Sequence, residues 1–446
     1  MQGDETASIP EAQDRVDLQK GQQMEFDFIA KSLPPRLAAE ENHAEKTAGN
    51  AGSGQPEPHD QAGTRAEEEP PLNSLFKRLP KQMEDEILAE RVQAYKVPFD
   101  ANGLEDESLK TCPIRLTTKN NLVTPYIDGP DIHEATGKMI DAAEKSILLE
   151  MYDFADFGFA EKLVGQAKKG LDVKVLLDPA QAEGKSASEA RTKVLNYLVE
   201  NQIPVLLYPA NVGSRQLDHC KLMIVDGKSV MLGSMNWNPA SLDNHEMNVR
   251  IDGPAAEYFG YHFVDGWKSA GGEDIPIPTP DKHPGGHSQI KGFRTEGRMD
   301  GSAEDAILNA IQKANSSIFA EMYVLSNQEI IQGFIDAHKR GVDVRVLLDP
   351  TNQSTGWNPN SESFKKLKKA GVPVRWYKVD PGSKMHTKMA LIDKEKLLIG
   401  SVNWSHKGMK ANREIGAEID CRDTGEIFHQ QFYYDWRYKS SETDPT

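Results

Sequence analysis

From about residue 114 onward, short apolar runs alternate with longer amphipathic stretches. Val173-Lys174-Val175-Leu176-Leu177 and Val344-Arg345-Val346-Leu347-Leu348 have the length and β-branched content of buried strands. Upstream of each lies another apolar run, Ser146-Ile147-Leu148-Leu149 in one case and Ser317-Ile318-Phe319-Ala320 in the other. Helically spaced stretches separate the runs. Each region reads strand, helix, strand, helix, strand, and that alternation predicts an α/β body.

The two regions are copies of one another. Ser146 to Tyr152 (SILLEMY) matches Ser317 to Tyr323 (SIFAEMY), and Gly170 to Pro179 (GLDVKVLLDP) matches Gly341 to Pro350 (GVDVRVLLDP), both at an offset of 171 residues. A repeat this long, present twice, is a domain duplication and not a solenoid. Residues 106–275 form the first copy and 289–440 the second, joined by a Pro- and Gly-rich linker at 276–288. Residues 1–105 have no sustained period and are rich in Glu, Ala, Gln, Gly and Pro. Such a stretch buries too little apolar surface to offset its ordering entropy, so it is expected to be largely disordered. Two features stand out within it: an apolar island at Gln23–Phe28, and a helical spacing over 72–97 interrupted by Pro80.

Composition adds limits more than direction. Of 16 excess negative charges, 10 fall in the first 105 residues, which hold 21 acidic and 11 basic side chains. An anionic surface disfavours non-specific association with nucleic acid or anionic lipid, while leaving room for a local basic groove. No apolar run approaches the roughly 18–20 residues of a membrane span, and no secretory signal is visible. Cys112, Cys220 and Cys421 are few, odd in number and far apart. They suggest neither a disulfide framework nor a metal cluster, and a cytoplasmic location is expected.

Each copy ends in the same constellation. The first holds His219-Cys220-Lys221, Asp226 and Gly233-Ser234-Met235-Asn236-Trp237; the second holds His386-Thr387-Lys388, Asp393 and Gly400-Ser401-Val402-Asn403-Trp404. One match to this spacing should arise on the order of once per billion positions, so two aligned by a repeat are not coincidence. The apolar residues after each lysine predict a strand, on which His219 and Lys221 share a face, as do His386 and Lys388. An imidazole beside an ammonium is costly in a core unless an anion sits between them. Ser234, Ser401, Asn236 and Asn403 can donate hydrogen bonds to the oxygens of such an anion. Glu246 and Glu414 follow the two histidines at nearly equal distances, and either could accept from an imidazole Nδ1–H and leave Nε2 free. Asp226 and Asp393 fall at strand ends facing away from the histidines, so a purely structural role competes with a catalytic one. Trp237 and Trp404 either line the cleft or pack. Arg215, Lys384 and Arg413 lie close enough in sequence to add positive potential at its mouth.

These residues resemble the H-x-K-x4-D signature of the phospholipase D superfamily, over about Ile114 to Tyr438. The resemblance implies a duplicated phospholipase D-like α/β fold, its two repeats packed about a pseudo-two-fold axis with both motifs facing one shared active site. It also implies a phosphodiesterase that works without metal or other cofactor. His219 would be the nucleophile that forms a phosphohistidine, and His386 the general acid. Lys221, Lys388, Asn236 and Asn403 would hold the phosphoryl oxygens, with Asp226 and Asp393 completing the catalytic signature. One chain carries both motifs, so a monomer suffices for the site. The motif leaves the substrate open. Phospholipid hydrolysis at a peripheral membrane contact is the first expectation, with phosphatidyl transfer as a side activity. A nucleic-acid phosphodiesterase is the second, and a cardiolipin synthase-like phosphatidyltransferase the third, because the N-terminal membrane helices common in those enzymes are not seen.

Overall fold

The computed structural model describes residues 117–182, 188–210, 216–277, 286–296, 302–350, 358–421 and 424–443. The expectations for 1–105, including the apolar island and the 72–97 helix, lie outside these residues, as do Cys112, Arg215 and most of the linker. The first copy runs β1 (Thr117–Ile127), α1 (Gly129–Asp141), β2 (Ser146–Met151), α2 (Phe157–Lys168), β3 (Asp172–Leu177), α3 (Glu189–Glu200), β4 (Val205–Leu207), β5 (Lys221–Val225), β6 (Ser229–Gly233), β7 (Met247–Asp252) and α4 (Ala255–Ser269). The second repeats it with β8 (Ser288–Glu296), α5 (Ser302–Gln312), β9 (Ser317–Met322), α6 (Gln328–Lys339), β10 (Asp343–Leu348), α7 (Ser361–Lys369), β11 (Val374–Tyr377), β12 (Lys388–Ile392), β13 (Lys396–Gly400), a short α8 (His406–Lys410), β14 (Arg413–Asp420), α9 (Gly425–Tyr438) and a terminal β15 (Ser440–Ser441).

Among the described residues all 15 strands form one sheet, in the order β15-β11-β10-β9-β12-β13-β14-β8-β1-β7-β6-β5-β2-β3-β4. The order reads the same from both ends once β15 is set aside. The centre is the antiparallel pairing of the equivalent strands β1 and β8, with Thr117 opposite Lys291 and Asn121 opposite Ser288. An antiparallel pair of equivalent strands is what a two-fold axis through the sheet requires. β2, β3 and β4 are parallel and joined through helices, as expected. β5, β6 and β7 are antiparallel, which the alternation did not reveal. For β5 and β6 the cause is local: Asp226 and Gly227, and in the second copy Asp393 and Lys394, all have φ between 53° and 64°. Two consecutive residues in that region form the tight hairpin turn that reverses a strand.

Helices cover both faces. β2 and β9 are buried along their whole length, the mark of strands covered on both sides. One core packs α1, α2 and α3 against the first copy, and another packs α5, α6 and α7 against the second. The third lies under α4 and α9 and draws on both copies, joining Leu222 and Ile224 with Met389 and Leu391. Helix starts follow capping chemistry: the Asp156 carboxylate accepts from the Phe159 amide at 2.9 Å, and Asn327 caps α6 through the amides of Glu329 and Ile330. Among the described residues no helix is long and apolar enough to cross a membrane.

The close approach of the copies is sharpest at Gly292 on β8. A Cβ there would lie 1.9 Å from Cε1 of Tyr258, which α4 of the first copy lays across it. Gly292→Ala is therefore expected to lower stability by about 1–3 kcal/mol, the usual cost of overpacking. A urea midpoint unchanged from the parent would show that Tyr258 can move aside freely.

Candidate active site

Each histidine sits just before a strand, and each is positioned by the opposite copy. The segment leading to His219 runs beside Arg413, whose backbone accepts from the His219 amide at 2.9 Å and donates to Leu217 O at 2.8 Å. The segment leading to His386 runs beside His245 in the same way: His386 N donates to His245 O at 2.8 Å, and His245 N to Lys384 O at 2.8 Å. The residue after each of these partners is a glutamate. The dyads are consequently exchanged. His219 Nδ1 lies 2.9 Å from Glu414 Oε2, and His386 Nδ1 lies 2.9 and 3.0 Å from the two oxygens of Glu246.

The carboxylates are held from several sides. Glu246 accepts from Ser234 Oγ at 2.6 Å and Asn244 Nδ2 at 3.1 Å; Glu414 accepts from Ser401 Oγ at 2.5 Å and Asn412 Nδ2 at 3.1 Å. Each lysine turns back onto its own histidine, Lys221 Nζ donating to His219 O at 2.8 Å and Lys388 Nζ to His386 O. A tyrosine lies against each pair. Tyr152 stands 5.0 Å from the His219 ring with Lys221 Nζ 5.0 Å from its centroid; Tyr323 stands 4.8 Å from His386 with Lys388 Nζ at 4.9 Å. Histidine and lysine share a face in both copies.

Burial and charge set the protonation states. Burial pushes the His219 imidazole below its usual range, Lys221 and Lys388 adding to the effect against Glu414. Burial drives His386 down to about 3, with Lys388 and Lys221 again adding and Glu246 opposing. Lys221 is lowered to about 8 by burial despite Glu414 and Glu246, and burial takes Lys388 well below its ordinary value. Burial would raise the Glu246 carboxyl, but His386, Lys388 and the Ser234 hydroxyl outweigh it and hold it at about 2. Each histidine feels the lysine of the other copy, so the two motifs share one electrostatic pocket. Two neutral imidazoles with fixed Nδ1–H, flanked by ammonium groups, can supply a nucleophilic Nε2 and a second Nε2 able to carry a proton.

A family model described as "Cardiolipin synthase, PLD-like domain" matches residues 137–267 and 307–436, one segment for each copy. The chain belongs to the phospholipase D superfamily. It is similar to cardiolipin synthase A of Escherichia fergusonii and of Salmonella arizonae, in each case 27% identical over 331 residues, covering 69% of this chain and 67% of the relative. Its fold resembles that of the phosphatidylserine synthase of Haemophilus influenzae Rd KW20, with a TM-score of 0.58 at 14% identity over 72% of this chain and 87% of that one.

In this superfamily member the structure gathers His219, Lys221, His386, Lys388, Glu246 and Glu414, and moves other expected site residues elsewhere. Asp226 and Asp393 follow β5 and β12, seven residues after the histidines, roughly 20 Å along an extended chain. Asp226 accepts from the amides of Glu144, Lys145 and Ser146 at 2.7–3.2 Å, and Asp393 from those of Asn315, Ser316 and Ser317 at 2.7–3.1 Å. They tie each hairpin turn to the start of the neighbouring strand, and the catalytic placement is corrected to a structural one. Ser234 and Ser401 are likewise redirected from phosphate to the glutamates. Asn236 and Asn403 keep side-chain oxygens without a hydrogen-bond partner among the described residues. Trp237 packs on Phe154 and Phe159 and Trp404 on Phe334, within the cores. Arg413 is buried against Glu150 and adds nothing to the mouth, whereas Lys384 is exposed 5.8 Å from the Tyr323 ring.

Asn244, Asn412, Tyr152 and Tyr323 were missed. The signal was present as N-x-E before β7 and at the start of β14, and in the final residue of the SILLEMY and SIFAEMY repeat. Asp178 and Asp349 were noticed only as repeat markers. Each carboxylate accepts from the amide just before a motif histidine, Asp218 N and Met385 N, at 2.7 Å.

Two outcomes follow from this geometry. Asp226→Ala leaves three strand-end amides without an acceptor and is expected to cost about 2–3 kcal/mol, while the folded enzyme keeps kcat within about threefold. A loss of kcat comparable to that of His219→Asn would return Asp226 to the chemistry. The second concerns acid stability. His386 is held neutral in the fold but ionises near its usual value when unfolded, so the unfolded chain binds the extra proton between about pH 6.5 and 3. Stability contributed by keeping this ring neutral is lost as pH falls through that window. His386→Asn should flatten the fall in melting temperature between pH 6.5 and 4.5; an unchanged slope would mean the ring is not held neutral.

Proposed function

We propose that this chain is a phosphatidyltransferase of the cardiolipin synthase type, acting through a covalent phosphohistidine. The observation that carries the reading is the pair of exchanged histidine–glutamate dyads flanked by Lys221 and Lys388 in one pocket. That arrangement suits two successive displacements at phosphorus. Similarity to cardiolipin synthases across both copies supports an alcohol, and not water, as the final acceptor. This reverses the order expected from the sequence, where hydrolysis came first and transfer third. The expectation about N-terminal membrane helices that placed it third concerns residues outside the matched segments.

In the first step His219 Nε2 attacks phosphorus while the bond to the leaving alcohol breaks. His386 donates its Nε2 proton to that alcohol. A bound phosphodiester supplies the negative charge that lets His386, which burial otherwise keeps neutral, hold a proton beforehand. In the second step a hydroxyl of a second phospholipid gives its proton to His386 and attacks the phosphohistidine, which releases His219 and leaves a new diester. The ammonium groups of Lys221 and Lys388 offset the charge that gathers on the non-bridging oxygens.

The test uses the full chain with phosphatidylglycerol vesicles in EDTA, beside a single-stranded DNA arm, with His219→Asn as control. Cardiolipin and free glycerol in equal amounts, absent from the control, are expected. Phosphatidic acid as the main product would restore hydrolysis, and DNA cleavage alone would overturn the lipid substrate.

A further inference from the structure

Each dyad glutamate is preceded by a residue whose side chain points back into the protein, and here the copies differ. Arg413 precedes Glu414. Its Nε donates to Glu150 Oε1 at 2.7 Å, its Nη2 donates to His262 O at 2.5 Å, and its Nη1 lies 3.6 Å from Asp265. His245 precedes Glu246. Its Nδ1 lies 2.6 Å from Asp128 Oδ1, and its Nε2 lies 3.0 Å from Glu321 Oε2 and 3.5 Å from Asp435 Oδ2. Glu150 and Glu321 are the same residue of the repeat, and both are fully buried. A buried carboxylate needs a cation beside it. Glu150 of the first copy receives a guanidinium from the second, and Glu321 of the second receives an imidazole from the first, with a carboxylate at each ring nitrogen.

The surroundings are matched to this exchange. Aligning Phe263–Trp267 of α4 with Phe432–Trp436 of α9 places Gly266 opposite Asp435. A Cβ on Gly266 would lie 2.6 Å from Arg413 Nη2, so glycine makes room for the larger cation. Where the cation is smaller, Asp435 occupies the position and approaches it. The groups facing His245 are Asp128 from the β1–α1 junction, Glu321 from β9, Asp435 from α9 and the ring of Tyr377 from β11, stacked at 5.0 Å. A ring that meets carboxylates at both nitrogens satisfies them by donating from both, which requires the doubly protonated form.

We propose that His245 is a positioning residue for the His386 dyad that works as an imidazolium, a titratable anchor where the His219 half has a permanently charged one. The path is short. His245 O accepts from His386 N at 2.8 Å and from Thr387 Oγ1 at 3.2 Å, and the next residue is the glutamate on His386 Nδ1. Fixing the His245 ring therefore fixes the strand that sets both the backbone and the tautomer of His386. Burial opposes charge on His245, but Asp435, Asp128 and Glu321 together raise it well above the ordinary imidazole value. Burial lifts Asp435 itself to about 7. A raised histidine keeps its charge through neutrality and loses it as pH climbs through the raised value, so this anchor fails on the alkaline side and Arg413 does not.

The proposal rests on His386 as the group that protonates the leaving alcohol, and the experiment separates the two. Full-length His245→Gln, the double variant His245→Arg with Asp435→Gly, and His386→Asn are assayed on an alkyl phosphodiester and on a p-nitrophenyl phosphodiester, whose leaving group needs no proton. His245→Gln is expected to lose at least tenfold on the alkyl substrate and under threefold on the nitrophenyl one. The double variant, which installs the arrangement found around Glu150, should return to within about threefold of the parent. Imidazole 15N spectra at pH 7 should show His245 doubly protonated, and His386 Nδ1 should shift in His245→Gln. Equal losses on both substrates by His245→Gln, when His386→Asn does discriminate, would overturn the proposal. So would a folded double variant that recovers nothing, a neutral His245 ring, or a stoichiometric divalent cation in the purified protein filling the same cluster. If His386→Asn itself fails to discriminate, the acid role falls, and the 15N arm alone decides the anchor.

Discussion

Neither repeat owns a complete histidine–carboxylate dyad. Glu414 of the second copy orients His219 of the first, and Glu246 of the first orients His386 of the second. Both glutamates are fully buried. A carboxylate buried without its partner costs several kcal/mol, so a separated copy would carry that penalty with no compensation. The exchange links assembly of the two halves to assembly of the chemistry. The pairing of β1 with β8 and the core shared under α4 and α9 hold the register in which the exchange can occur.

The same exchange recurs one layer deeper. Arg413 crosses to Glu150 and His245 crosses to Glu321, so each buried glutamate of the SILLEMY repeat takes its cation from the opposite copy. Asp178 and Asp349 work within a copy, each bonding the amide ahead of its own histidine. The histidines, lysines and glutamates of the site are thus held by backbone or by a group from another element, with few degrees of freedom left. Such preorganisation lets a site made of ordinary side chains stabilise developing charge without reorganising first.

What the sequence disclosed depended on the kind of signal. The duplication, the α/β alternation and the two histidine–lysine pairs were legible because each is a local pattern written twice. The roles of Ser234, Ser401, Asp226 and Asp393 were not. A hydroxyl or carboxylate at a given spacing can serve substrate, side chain or backbone equally well, and only the fold shows which group faces it. Asp226 illustrates the point: its positive φ and its three amide partners belong to a turn and a neighbouring strand that spacing alone does not describe. The exchange of carboxylates lay equally out of reach, since a linear reading attaches each glutamate to the histidine before it.

A duplicated enzyme that kept perfect symmetry would give its two histidines identical environments, yet the two-step transfer proposed for this chain asks different things of them. One must attack while neutral, and the other must hold a proton and pass it on. Here the departures from symmetry gather beneath the dyads: Arg413 against His245, Gly266 against Asp435, Asp218 against Met385. The first copy buries a permanent cation beside Glu150 and Asp218; the second buries a titratable one among Glu321, Asp435 and Asp128. Burial pushes both motif imidazoles down, and each lies among equivalent charges, its dyad glutamate and the two lysines. The residues that would divide labour between two histidines of one motif are therefore not in the motif. They lie one step behind it, in buried positions that repeat alignment exposes only where the two copies disagree.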